Sequence, residues 1–155
     1  MKTLVLFESF FGNTEKIARA IGAALGSMDE DIVRISEFDI QRLEGVKLLI
    51  VGSPTRAFQA SPDTKAFLRR IPSGGLKGKK IAAFDTRAEM TDRIPGFLKF
   101  MISIFGYAAE PIAKKLIKKG GTQVLEPAGF FVLESEGPLK DGELERAAEW
   151  AKTLI

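Results

Sequence analysis

The chain predicts a three-layer α/β/α sandwich on a five-stranded parallel sheet, and three observations predict it. Strand-like and helix-like patterns alternate from end to end. The run Val46–Gly52 is apolar on both faces, as buried parallel strands are. No linker, repeat or low-complexity stretch interrupts the alternation, so the 155 residues read as one domain, 1–155, long enough for a full core.

In order, Thr3–Phe7 is the first strand. A helix over Asn13–Leu25 places Ile17, Ala18, Ile21, Ala24 and Leu25 on one face, and Gly26 ends it. Asp31–Ile35 is a short second strand, and Val46–Gly52 the third. Ser61 and Pro62 open the next helix as N-cap and first-turn proline, with Phe67, Leu68 and Ile71 inward. Ile81–Phe84 is the fourth strand, and Gly129–Leu133 belongs to the fifth. The last helix, Gly142–Leu154, carries Leu144, Ala147, Ala148, Ala151 and Leu154 as a core stripe. Helix-containing connections between parallel strands imply right-handed crossovers.

Composition excludes several chemistries. The chain has no cysteine and no histidine, which removes disulfides, thiolate nucleophiles, histidine-based triads and the usual zinc or haem ligands. No apolar run reaches the ~20 residues that span a bilayer, and the N-terminus enters a strand pattern directly, without a leader. A cytoplasmic location is the expectation. The formal net charge is +3 with a pI near 9.2.

The most informative segment is Ser9-Phe10-Phe11-Gly12-Asn13-Thr14, between the first strand and the first helix. Helix-initial N–H groups lack intrahelical partners and carry the positive end of the dipole, so this turn suits a phosphate. Gly12 permits close backbone approach, and Ser9 and Thr14 add hydroxyls. The same residues also suit a plain turn with a capped helix. Ligands of such sheets bind beyond the carboxyl ends of the strands. The turns after strands three and four, Gly52–Pro62 and Asp85–Met90, are irregular and rich in polar donors.

These residues resemble the flavodoxin family. The first turn is similar to its phosphate loop, with Ser9, Gly12 and Thr14 in matching places, and Gly52-Ser53-Pro54-Thr55 is similar to the turn that lies against the flavin ring. The resemblance covers nearly the whole chain. It implies strand order 2-1-3-4-5, a helix over Tyr107–Gly121, a broken fifth strand, and FMN as cofactor. The cofactor-binding residues it implies are Ser9, Phe10, Phe11, Gly12, Asn13, Thr14, Pro54, Thr55, Arg56, Ala57, Phe58, Thr86 and Arg87. No catalytic side chain and no metal ligand is expected, because the flavin carries the chemistry.

Three features depart from the family pattern. Phe11 stands where a second threonine is usual, the chain is basic rather than acidic, and an apolar insertion at about 87–106 follows strand four. Phe58 reads as an aromatic against the flavin ring or as a plug over the following helix. Tyr107 reads as the other ring face or as a helix cap. Arg56 reads as a cation at the flavin's pyrimidine edge or as an exposed loop arginine. Lys114, Lys115, Lys118 and Lys119 form a solvated face with no nucleic-acid reader motif. The segment Ile94–Phe105 reads as extra core, a lid over the pocket, a homodimer contact, a partner-docking surface or a shallow membrane contact.

The favoured function is an FMN flavoprotein that transfers electrons between redox partner proteins. The alternative is an FMN-dependent NAD(P)H:quinone-type oxidoreductase with a small quinone-like acceptor. A second alternative is a non-flavin interaction module on the same topology. No nucleic-acid partner is expected.

Overall fold

The computed structural model describes residues 2–56, 59–88, 96–97, 106–134 and 136–154. The strands are β1 (Thr3–Phe7), β2 (Ile32–Arg34), β3 (Leu48–Pro54), β4 (Lys80–Ala88), β5 (Thr122–Gln123) and β6 (Ala128–Val132). The helices are α1 (Asn13–Ala24), α2 (Pro62–Arg70), α3 (Ala109–Lys118) and α4 (Glu143–Lys152). Every strand pairing is parallel, and the order is β2-β1-β3-β4-β5, with β6 also on β4. This is the 2-1-3-4-5 order that the family resemblance implies.

Period-two alternation builds the layers. Leu4, Leu6, Leu49, Val51, Ile81 and Ala83 face one cluster, completed by Phe67 and Leu68 of α2 and Ile112 and Leu116 of α3. Their neighbours Val5, Phe7, Leu48, Ile50, Ala82 and Phe84 face the other, with Ile17 and Ile21 of α1 and Ala147 and Ala151 of α4. The sheet is thus apolar on both sides, and two helices cover each side.

The fifth position of the sheet is broken as expected. β5 pairs with Lys80 and Ile81, and β6 pairs with Phe84 through Ala88. Pro127, which has no N–H to donate, stands between the pieces. One aromatic group anchors the second piece. The rings of Phe84, Phe130 and Trp150 meet edge-to-face with centroids 6.1–6.3 Å apart. Phe84 also lies over Gly52, where a Cβ would fall 2.0 Å from the ring.

Three expectations are corrected. β4 runs to Ala88 instead of ending at Phe84, so Asp85, Thr86 and Arg87 are strand residues, held by pairing with Gly129, Phe130 and Phe131. Leu144 is 41% exposed and outside the core. The buried stripe of α4 is Glu143, Ala147 and Ala151 at i, i+4 and i+8, which leaves Leu144 about 100° away. Helix α3 also starts at Ala109, so Tyr107 lies before it.

Most of the apolar insertion, including Ile94–Phe105 apart from Gly96 and Phe97, lies outside the described residues. Phe97 is exposed. No helix among the described residues is long and apolar enough to cross a membrane.

Candidate functional site

Helix α1 begins at Asn13, and Gly12 precedes it with φ 90°, a left-handed conformation that glycine adopts without steric cost. The first helical bond back is from Lys16 N–H to Gly12 O. The N–H groups of Asn13, Thr14 and Glu15 therefore have no carbonyl four residues earlier within the helix. No side chain caps this end. Ser9 Oγ instead accepts from Gly12 N at 3.0 Å, which curls the loop on itself.

The loop is tied to the strands that flank it. Thr14 Oγ1 and Thr86 Oγ1 lie 2.7 Å apart, both buried, and join the first turn of α1 to β4. Thr55 N–H donates to Thr86 O at 2.9 Å, and Thr55 Oγ1 accepts from Ala108 N at 3.1 Å. The turn after β3 is closed by paired backbone bonds between Arg56 and Gln59 at 2.9 Å each. Arg56 reaches back across it, its guanidinium carbon 5.0 Å from the Phe10 ring centre and 5.7 Å from that of Phe11. Both rings are about half exposed.

Arg87 is held from three directions. It forms a fork with Asp85, Nε and Nη2 each donating at 2.7 Å to a different carboxylate oxygen. Its guanidinium carbon lies 3.6 Å from the Tyr107 ring centre. On the neighbouring strand Gly129 leaves room for it, since a Cβ there would fall 2.1 Å from the guanidinium. Asp85 is fully buried and also accepts from Ala109 N at 2.9 Å. Burial raises the Asp85 pKa, opposed chiefly by the hydrogen bonds and charge of Arg87.

These elements enclose a cavity of about 330 Å³ at the carboxyl ends of β1, β3 and β4. That lies within the usual size range of small-ligand sites. Ten predicted residues line it together: Ser9, Phe10, Phe11, Asn13, Thr14, Pro54, Thr55, Arg56, Thr86 and Arg87. Gly12 shapes the loop as its N-cap residue without lining the cavity. Ala57 and Phe58 lie outside the described residues. Tyr107 packs on Arg87 and is not in the lining.

Sequence reasoning missed Ala88, Val132 and Glu136, which complete the wall. The switch-point rule directs attention to the turns after strands one, three and four, whereas Val132 ends β6 and Glu136 follows four residues later. Their signal would have been Asn13, whose Nδ2 donates to Glu136 O at 3.0 Å and joins the two loops. Among the lining residues Arg56 and Arg87 are the cations and Glu136 the sole acid. Among the described residues no cluster of carboxylates is placed to hold a metal.

The donor set fits a ligand with a phosphate at one end. Helix-initial N–H groups without intrahelical partners and a left-handed glycine meet the hydroxyls of Ser9 and Thr14 there. Phe11 in place of a hydroxyl residue removes one donor, and the backbone donors remain.

A family model described as flavodoxin matches residues 5–150. The flavodoxin of Picosynechococcus sp. is 34% identical over 82 residues, 52% of this chain and 48% of that one. Flavodoxin 1 of Salmonella typhimurium is 34% identical over 83 residues, 53% of this chain and 47% of that one. Each match thus spans about half the length of the relative. Among solved structures, oxidised flavodoxin 1 of Bacillus cereus superposes with a TM-score of 0.73 at 22% identity, covering 97% of this chain and 95% of that one. At that identity the likeness shows the fold.

Proposed function

Since the chain belongs to the flavodoxin family, whose members bind FMN, we propose that it is an electron-transfer flavoprotein that holds one FMN in the cavity beyond β1, β3 and β4. The observation that carries this reading is the convergence of the Ser9–Thr14 loop, the β3 turn and the end of β4 on that cavity. When bound, FMN accepts and donates electrons one or two at a time. The residues of this chain bind and orient it. The N–H groups that open α1, with Ser9 and Thr14, hold the phosphate. The walls formed by Pro54–Arg56 and Thr86–Arg87 hold the remainder.

The site's charge favours a second reading, an oxidoreductase that passes electrons to a small quinone-like acceptor. Arg56 and Arg87 line the cavity with a single carboxylate, Glu136; Arg87 is already paired with the buried Asp85, which leaves the charge of the exposed Arg56 to act on a bound redox group. Fixed positive charge beside a redox group favours its more negative, reduced form. That suits delivery of electrons in pairs better than a low-potential shuttle.

Purification of the full chain tests the first reading directly. A yellow protein releasing FMN, and no FAD, on denaturation is the expected result. A colourless protein whose apo form leaves FMN fluorescence unquenched would refute it. Direct turnover of NAD(P)H with a soluble quinone favours the oxidoreductase, and dependence on a protein reductase favours the shuttle.

A further inference from the structure

Arg34 ends β2, far from the Ser9–Thr14 loop in sequence, and parallel pairing sets it opposite Phe7, the last residue of β1. From there its guanidinium reaches both ends of the loop. Nη1 donates to Glu8 Oε1 at 2.7 Å and to Ser9 O at 2.9 Å, and Nη2 donates to Glu15 Oε1 at 3.3 Å. Glu8 and Ser9 lie at the loop's entry, and Glu15 lies in the first turn of α1. Arg34 does not line the cavity.

We infer that Arg34 is a positioning residue of the phosphate loop, clamping its two ends and offsetting the charge of the buried Glu8 so that the loop accepts a phosphate dianion. The inference rests on the FMN reading above.

Two physical arguments carry it. The first is orientation. Ser9 C=O is turned toward Arg34, and in a trans peptide the following N–H, that of Phe10, points the opposite way. The clamp therefore fixes a loop donor away from Arg34 before any ligand arrives, which lowers the ordering cost of binding.

The second is charge. Glu8 and Glu15 stand at either end of a loop suited to an anion, and Glu8 is nearly buried. Glu8 is itself held in place, accepting from Ser9 N at 3.3 Å and Ser36 N at 3.2 Å. Two fixed carboxylates near an incoming phosphate would repel it. Arg34 bonds to both, and Arg19 also bonds to Glu15 Oε2 at 3.0 Å, so Glu8 is the carboxylate whose repulsion Arg34 offsets. Packing of the guanidinium 5.3 Å from the Phe7 ring centre keeps it at this post.

Titration of the apo form of the full chain with FMN and with riboflavin, which lacks the phosphate, separates this role from a general effect on the fold. Arg34→Met is expected to weaken FMN binding about tenfold or more while riboflavin affinity changes less than about threefold. Adding Glu8→Gln to Arg34→Met should restore much of the FMN affinity, because it removes the carboxylate left unpaired. Arg34→Lys keeps a charge near Glu8 but cannot span to Glu15, and should show a smaller FMN-specific loss. It carries the same test if Arg34→Met folds poorly. Inorganic phosphate should raise the melting temperature of the wild-type apoprotein more than that of either variant.

Equal losses for FMN and riboflavin, or unchanged FMN affinity in a folded variant, would overturn the inference. Failure of the unaltered chain to bind FMN at all would instead refute the cofactor reading.

Discussion

The hydroxyl oxygens of Thr14 and Thr86 lie 2.7 Å apart in the interior, one at the start of α1 and the other on β4. This bond joins the proposed phosphate end of the cavity to the strand that forms its far wall. Thr86→Val keeps the shape and removes one partner, leaving the buried Thr14 hydroxyl unpaired. A stability loss of about 1–3 kcal/mol is expected, with weaker FMN binding. Denaturant midpoints and apoprotein titration measure the two effects separately.

Gly52 has a different vulnerability. Its backbone lies under Phe84, and an added Cβ would fall 2.0 Å from that ring in a fully buried region. Gly52→Ala should cost about 1–3 kcal/mol or more, because Phe84 is itself wedged between Phe130 and Trp150. Chemical denaturation checks this. A change below about 0.5 kcal/mol would show that the aromatic group yields more easily than its packing implies.

Glu143 gives a pH dependence of one sign. Hydrogen bonds from Arg146 first, and then from Phe131 N at 2.7 Å, hold its carboxyl below the ordinary carboxylate value. A lowered folded-state pKa contributes stability above the unfolded value of about 4.3 and loses it as pH falls through the folded one. Glu143→Gln should therefore destabilise the protein at pH 7, and the difference from the wild type should shrink as pH falls below the ordinary carboxylate range. Melting curves across that range test the convergence.

Asp85 gives the opposite sign. Its pKa is raised by burial, so the folded state holds that proton more tightly than the unfolded one, and this group's contribution declines as pH rises above the unfolded value. Arg87→Met removes the opposing partner and leaves a carboxylate with no exposure. A loss of about 3–5 kcal/mol at pH 7 is expected, shrinking as pH falls and Asp85 takes up a proton. Stability of Arg87→Met that falls as pH is lowered from 7 would contradict the burial account.

Much of this architecture was legible because it is local. Alternating apolar runs expose the strands, and Gly12 before Asn13 exposes the start of α1. Ser61 and Pro62 likewise mark α2, where Ser61 Oγ accepts from Thr64 N at 3.2 Å. The missed features are set by neighbours distant in sequence. The length of β4 depends on β6, which pairs with Asp85–Ala88 more than forty residues away. Arg34 and Glu136 reach the loop only through strand register and a side-chain bond from Asn13. Leu144 misled because an apolar residue near a helix end fits several plausible stripes, and the choice among them follows from the close seating of Ala147 and Ala151.

The packing of Trp150 has a practical consequence. It is the only tryptophan in the chain, and its ring stands against Phe84, which also packs on Phe130 and covers Gly52 just before the β3 turn. The molecule thus carries its own optical gauge at the junction between the α4 layer and the strand leading to the cavity. Its emission should report the docking of the last helix as the chain folds. Flavin bound nearby would quench it through energy transfer, so a single fluorophore can time both assembly of the scaffold and arrival of the cofactor.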